Sequence, residues 1–368
     1  MPKILHTADL HLKRNGEDKA YGLAVLDEII AAANARNVTH LLICGDLFDS
    51  FKDFSDLSLK TKLLYSFERL NSGCKVFYIT GNHENLGKAA GERLSAYNFG
   101  RIKLIAEDVS TFEDSGIEII AVPFQKNYFN LLSSSFPQKR HFRIVMLHGM
   151  DSAVYAGPDE EQEESGFASS QIPDLLLHNA KADYAALGHI HEAREIINNG
   201  IIAAYPGSPR VWRKGEKGPR KAIFFETDGK TAGPREEIII KSAGQYREIP
   251  VPINLDGTFS RFVPPQLAGL ATQHPNDWFE LVFSGAAEDA NVFEESKAFF
   301  DSLLSDKVRK CTLNSMGMKT FSALADNQTA KRFLEQMEAI RPEDGTEEMK
   351  IWLEARLIGL EKINEAVR

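Results

Sequence analysis

Cysteine is nearly absent: three residues in 368, Cys44, Cys74 and Cys311, show no ligand spacing and cannot all pair. That excludes a disulfide framework and a thiolate metal cluster, and Cys44 and Cys74 read as plain core. Long hydrophobic runs are missing too. Apolar stretches such as Leu41–Cys44 and Ile117–Val122 are far too short to cross a bilayer. Met1-Pro2-Lys3 leads into Ile4-Leu5-His6-Thr7 with no apolar signal block, which predicts a soluble, cytoplasmic protein without a membrane partner. Positive charge is not in excess. A net charge of −9 argues against a protein that coats nucleic acid by bulk attraction, though not against a local basic track. There is no Gly-x-x-x-x-Gly-Lys-Ser/Thr phosphate loop, no Gly-x-Ser-x-Gly elbow and no His-Glu-x-x-His helix. Ser208 stands beside Gly207 with no triad logic around it, so it is not a nucleophile. No internal repeat or low-complexity segment occurs.

The chain has 43% hydrophobic and 26% charged residues, a globular balance, and exceeds the length one ordinary core sustains. Its first ~230 residues alternate strand-like and helix-like stretches. Strands are predicted at Lys3–Thr7, His40–Cys44, Lys75–Thr80, Ile117–Val122, Phe142–Leu147, Tyr184–Leu187, Ile201–Tyr205 and Ala222–Glu226, and helices at Asp18–Arg36 and Leu57–Leu70. The later strands follow one another with few helices between them. That predicts a mixed α/β (α+β) domain whose sheet folds into a second sheet. After Asp228-Gly229 the composition shifts. Pro-rich stretches at Ile249–Pro252 and Pro264-Pro265 precede a strand at Trp278–Phe283, a helix at Val292–Leu304 and a further segment at Val308–Leu313. Two helices broken at Arg341-Pro342 follow Asn327, the last with apolar residues at helical spacing from Met349 to Val367. The expected division is therefore residues 1–243, a small α+β domain at 244–322, and C-terminal helices at 323–368.

Five short motifs carry the chemistry: Asp9-Leu10-His11, Gly45-Asp46-Leu47-Phe48-Asp49, Gly81-Asn82-His83-Glu84, His148-Gly149 and Gly188-His189-Ile190-His191. Each falls where a predicted strand ends, and loops at the carboxyl ends of strands converge on one crevice in layered α/β folds. Any one alone would be a turn former or a buried histidine. Together they supply the oxygen and imidazole ligands of a site for two divalent metals that cleaves phosphoesters. Two cations about 3.5–4 Å apart acidify a water, neutralise the phosphate and stabilise the departing oxygen, and oxygen and nitrogen donors suit that role better than thiolates. Asp46 is the natural bridge, with Asp9, His11 and His191 completing one metal's set and Asn82, His148 and His189 the other's. His189 and His191, two apart, would face the same side of a regular strand. His83 should enter the cleft without binding metal, stabilising the phosphorus centre or protonating the leaving oxygen, with Asp49 holding its ring. His6, His40, His141, His178 and His274 lack such company and are not ligands; only His6 could support one from behind. Two charged clusters are ambiguous. The window Arg210–Lys221 holds Arg210, Arg213, Lys214, Lys217, Arg220 and Lys221 against Glu216, and Asp159–Glu164 is acidic. Each reads equally as a solvated face.

This pattern resembles the calcineurin-like metallophosphoesterase superfamily over residues 4 to about 226. The wording of His6–Leu12, Gly45–Asp49, Ala186–His191 and Tyr205–Pro209 resembles its SbcD branch and the archaeal and eukaryotic Mre relatives, nuclease subunits of double-strand-break repair complexes. The resemblance implies a four-layer αββα sandwich binding two manganese ions through Asp9, His11, Asp46, Asn82, His148, His189 and His191, with His83 contacting phosphate. It further implies a capping domain that contacts DNA and C-terminal helices that bind the coiled coil of an SbcC-type ATPase; homodimerisation is left open. The implied activities are a 3′-to-5′ exonuclease on duplex ends and an endonuclease on single strands. Because the basic window begins beside Tyr205-Pro206-Gly207-Ser208, the resemblance also sets Arg210, Arg213, Lys214, Lys217 and Arg220 near the rim of the site, where they would hold DNA phosphates. Lys13 stands where a Gly commonly follows His-Leu, and Glu84 replaces the commoner Asp; neither removes a ligand. The alternatives are a phosphoesterase for small molecules or phosphoproteins using the same metals, and a DNA-end-binding scaffold subunit.

Overall fold

The computed structural model describes residues 1–84, 100–151, 153–154, 171–254, 257–287, 290–320, 327–343 and 346–367. The acidic cluster Asp159–Glu164 lies outside the described residues. The chain forms two compact units, Met1–Ala243 and Gly244–Arg368.

In the first unit, β1 (Lys3–Thr7), α1 (Gly16–Ala35), β2 (His40–Cys44), α2 (Phe51–Phe54), α3 (Leu57–Glu68), β3 (Lys75–Ile79) and β4 (Ile102–Ile105) build most of one sheet and its helical cover. Caps set the helix starts: Ser50 accepts from the Asp53 amide, and Asp56 Oδ1 accepts from the Leu59 amide at 2.7 Å. The chain then crosses to a second sheet through β5 (Ser110–Asp114), β6 (Ile117–Ala121), β7 (Phe142–His148), the short α4 (Asp174–Asn179), β8 (Tyr184–Gly188), β9 (Arg194–Asn198) and β10 (Ile201–Tyr205). It returns through β11 (Lys221–Glu226) and β12 (Glu236–Ile239), with β11 antiparallel to β1 (Lys3 opposite Glu226). The two six-stranded sheets run β12-β11-β1-β2-β3-β4 and β5-β6-β7-β8-β10-β9.

Alternation along the central strands makes the layers. Leu41 and Ile43 of β2 face α1 and α3, meeting Ile29, Leu59 and Phe67. Leu42 and Cys44 face the other way, into a core shared with Ile144 and Met146 of β7 and Tyr184 of β8. Val145 and Leu147 point outward again, under Leu176 and Leu177 of α4. Helix, sheet, sheet and helix thus stack in four layers, the last of them thin among the described residues.

In the first unit the four strands missed in the sequence, β4, β5, β9 and β12, are the outer strands of its two six-stranded sheets. Three of them, β5, β9 and β12, are half-solvated and carry charge, as in Ser110–Asp114 and Glu236–Ile239, so they lack the apolar run that marks a central strand; β4 is largely apolar but only four residues long.

The second unit is a parallel sheet of β13 (Tyr246–Ile253), β14 (Trp278–Ala287) and β15 (Lys310–Thr320) in that order, with α5 (Val263–Gln273) and α6 (Ala290–Leu304) as its crossovers. Both Pro-rich stretches lie inside regular elements. Pro250 and Pro252, spaced by two on the edge strand β13, can keep their nitrogens on the open side, and Pro264-Pro265 occupy the first turn of α5, where no amide partner is required. Then come α7 (Gln328–Ala339) and α8 (Glu347–Val367). The face of α8 bearing Met349, Trp352, Arg356 and Leu360 is buried. Trp352 Nε1 donates to Met337 O at 2.8 Å and Arg356 Nη2 to Asn254 Oδ1 at 2.7 Å, so α7 and α8 are integrated with the rest of this unit.

Candidate dinuclear metal centre

All five motifs meet at the carboxyl ends of β1, β2, β3, β7 and β8. The loop after β1 is laced to the loop after β2: Asp9 N donates to Gly45 O at 3.1 Å, His11 N to Asp46 O at 2.9 Å and Leu12 N to Leu47 O at 2.9 Å. The third loop is tied in by Glu84, which is buried and accepts from the Phe48 amide (2.7 Å), the Gly81 amide (2.9 Å) and the Tyr78 hydroxyl. Burial, together with the nearby Asp46 carboxylate, pushes Glu84 up to about 7.

The backbone is strained where ligands would sit. Asp9 (φ 56°), His11 (45°), Asp46 (47°) and His189 (104°) all lie at positive φ, a region that costs a non-glycine residue about 1–3 kcal/mol. The other such residues among those described, Asn37, Ser115, Lys181 and Asn199, all lie in turns. Three motif glycines instead give clearance. A Cβ on Gly45 would stand 2.0 Å from His148 Nδ1, one on Gly81 2.1 Å from Asp46 Oδ1, and one on Gly188 1.8 Å from Cys44 O.

Among the described residues three groups of donors result, {Asp9, His11, His191}, {Asp9, Asp46, His148} and, spanning these two, {His11, Asp46, His83}, each with one atom per residue within 4.8 Å of the others. In the first, His191 Nδ1 donates to Glu216 Oε1 at 2.6 Å, which leaves its Nε2 with a lone pair, 3.1 Å from His11 Nε2. In the second, His148 Nδ1 donates to Cys44 O at 2.8 Å, while its Nε2 faces Asn82 Oδ1 (2.7 Å) and Asp46 Oδ2 (3.3 Å). Asp46 Oδ2 is buried without a hydrogen bond. Without a proton on His148 Nε2 and His191 Nε2, acceptors converge on acceptors in this buried pocket, an arrangement that a bound cation makes favourable. Burial opposes charge on Asp46, but His148, His83 and His11 hold its carboxyl down to about 2; burial also opposes charge on His148, and Asp46 outweighs it and raises the imidazole. No cysteine joins any of these groups: the Cys44 side chain points into the apolar core between the sheets. The donor set fits two divalent metals.

Asp9 accepts the His189 amide on both oxygens, at 3.0 and 3.1 Å, and His189 Nδ1 lies 3.3 Å from Asn82 Oδ1. His191 thus belongs to the first donor group while His189 stands beside Asn82, the partner of His148, and strand alternation does not separate them, because β8 ends at Gly188. His83 donates its amide to Asp46 Oδ1 (3.1 Å) and its Nδ1 proton to Asp49 O (2.8 Å). This corrects the expected role of Asp49: its carbonyl holds the His83 ring, while its carboxylate accepts from Trp212 Nε1 at 3.0 Å and lies 3.5 Å from both His11 Nδ1 and Lys13 Nζ. His6 is buried and accepts from the Tyr184 hydroxyl while donating to Leu187 O; burial drives it down to about 3, so it is a neutral support beneath the His189 loop.

The basic window divides. Arg210 is 1% exposed and donates to His11 O (3.0 Å) and Asp18 (3.2 Å), so it pins the first loop and cannot present its charge to DNA. Arg220 is largely buried, donating to Lys217 O at 2.8 Å and lying 3.7 Å from Glu216, yet it lines the cleft beside His191. Lys13, Arg213, Lys214 and Lys217 line a cleft of about 720 Å³ that begins at His191. Two further site residues went unread in the sequence, both inside this window. Trp212 stacks on His11 (centroids 4.4 Å apart, 20° between planes), and Glu216 is held down to about 2 because His191 and Arg220 outweigh the effect of its burial. A tryptophan and a lone acid within a basic run were the available signals.

Among the described residues no helix is long and apolar enough to cross a membrane. The family model described as calcineurin-like phosphoesterase matches residues 2–193. The chain is 25% identical over 257 residues to the SbcD subunit of nuclease SbcCD from Bacillus subtilis (strain 168), covering 60% of this chain and 65% of that protein. It is 28% identical over 243 residues to the uncharacterized metallophosphoesterase YhaO of the same organism, covering 58% and 55%. The chain thus spans 55% to 65% of the length of these relatives. A solved structure of a hypothetical protein from Thermus thermophilus superposes with a TM-score of 0.40 at 12% identity, over 64% of this chain and 98% of that one. The matched segment is more than half of the 368 residues and contains every motif from Asp9 to His191: the chain belongs to the calcineurin-like phosphoesterase family.

Proposed function

We propose that this phosphoesterase is a manganese-dependent DNA nuclease, the catalytic subunit of a cytoplasmic double-strand-break repair complex, cutting duplex ends 3′-to-5′ and single strands internally. The observation that carries the reading is the cleft beside His191, whose Lys13, Arg213, Lys214 and Lys217 supply positive charge next to the metal ligands of a chain with a net charge of −9. A likeness to a protein named as a nuclease subunit supports it. Asp9, His11 and His191 would hold one metal and Asn82, His148 and His189 the other, with Asp46 between them. When bound, such a pair neutralises the phosphate, acidifies the attacking water and stabilises the leaving oxygen. The chain's own groups supply the rest. Arg213, Lys214 and Lys217 hold flanking phosphates and position the strand without reading bases. His83, its Nδ1 proton committed to Asp49 O, would donate a proton from Nε2 to the departing oxygen. The exposed Ile351 and Ile358 of α8 offer apolar surface to the coiled coil of an SbcC-type partner.

Neutralising Arg213, Lys214 and Lys217 together should weaken DNA binding and flatten the slope of log affinity against log salt by about 0.9 for each duplex phosphate no longer held. An unchanged slope would return these residues to a solvated face. His83→Ala should keep its bound metal while kcat falls about 10²–10⁴-fold; loss of metal would make His83 a ligand.

A further inference from the structure

The loop Trp212–Arg220 touches both imidazoles of one donor group. Trp212 lies flat on His11, and its Nε1 donates to Asp49 Oδ1, which is 3.5 Å from His11 Nδ1. Glu216 accepts the Nδ1 proton of His191 at 2.6 Å, and its other oxygen accepts the Trp212 amide at 2.7 Å. The two contacts are therefore one hydrogen-bonded unit, with Arg220 3.7 Å from the same carboxylate oxygen. Glu216 is 8% exposed, and Trp212, half-buried at the edge of the cleft, stacks on His11 and has the Arg213 guanidinium 4.3 Å from its ring centre. In the other donor group His148 is held by Cys44 O and Asp46 by the His83 amide, while Asp9 is common to both groups.

From these contacts we infer that Trp212 and Glu216 are positioning residues: one brace that fixes the His11–His191 pair and sets the affinity of that metal position separately from the other. A carboxylate on the far nitrogen fixes the tautomer and the direction of a ligating imidazole, and a stacked indole removes the ring's remaining freedom to tilt. The inference rests on the two-metal reading. It adds that the two positions are unequal in origin, one depending on strand ends and the other on a cleft-lining loop that also carries Arg213, Lys214 and Lys217.

Calorimetric titration of the metal-free full chain with MnCl₂ tests this. Wild type should bind two ions. Glu216→Gln, isosteric and checked for wild-type circular dichroism, should weaken one binding event about 10–100-fold and leave the other as in wild type. His191→Ala should abolish that same event. Trp212→Phe keeps a stacked ring but loses the bond to Asp49; it should weaken the same event by less and remove the part of the tryptophan fluorescence that Mn²⁺ quenches in wild type. Trp212→Phe decides the matter on its own should Glu216→Gln not fold. Two events of wild-type affinity in both variants, or both events weakened equally, would overturn the brace while leaving the two-metal reading intact. A wild type that binds no Mn²⁺ would overturn both.

Discussion

Replacing Asp46 with alanine is expected to lower phosphodiester turnover by about a thousandfold or more, equivalent to ~4 kcal/mol of lost transition-state stabilisation. Like Asp9, Asp46 belongs to two of the three donor groups. It is fully buried, one oxygen accepts the His83 amide at 3.1 Å, and the other lies 3.3 Å from His148 Nε2 and 3.9 Å from His11 Nε2, an atom from each donor group. Its loss therefore removes the group between the two metal positions rather than one ligand of several. Metal content should fall with turnover, which separates Asp46→Ala from His83→Ala. Wild-type turnover in Asp46→Ala at saturating metal would show that the site lies elsewhere.

Gly188→Ala should be the most disruptive single methyl in the first unit. The new Cβ would meet Cys44 O at 1.8 Å and His148 Nδ1 at 2.9 Å, the acceptor and donor of the bond that orients His148. The backbone has nowhere to withdraw, because Gly188 is paired in register with His148 across β8 and β7. Overpacking of this kind costs up to about 3 kcal/mol, and at about 2–4 °C per kcal/mol for a unit of this size the melting temperature should fall by about 6–12 °C. Gly73, with nothing within 4 Å of an added Cβ, is the control, and Gly73→Ala should change stability by no more than about 0.5 kcal/mol. Thermal unfolding of the two variants measures the contrast. Equal melting temperatures would mean that the close approach of these loops is not what the glycine serves.

How much of this was legible in the sequence follows from what each signal encodes. Residue type and position after an apolar strand marked the motifs, because ligand chemistry needs particular side chains and central strands need continuous burial. Main-chain roles were not legible. Nothing in the letters of Asp49 says that its carbonyl, not its carboxylate, meets His83. One residue of the basic window was misread for a related reason: charge is visible in a sequence and burial is not, so Arg210 looked like Lys214 and Lys217, although it is buried and holds two loops together. Edge strands and the prolines of β13 and α5 escaped because they obey the chemistry of ends, where solvent or absent amides replace the apolar pattern.

The most direct test compares cleavage of end-labelled linear duplex and single-stranded DNA, with Mn²⁺ and with chelator, by wild type and His189→Ala, alongside an aryl phosphodiester. The account predicts metal-dependent cutting of both DNA substrates that is lost in His189→Ala. Hydrolysis of the aryl ester alone, unrelieved by an SbcC-type partner, would contradict the nuclease and leave a phosphodiesterase of small molecules.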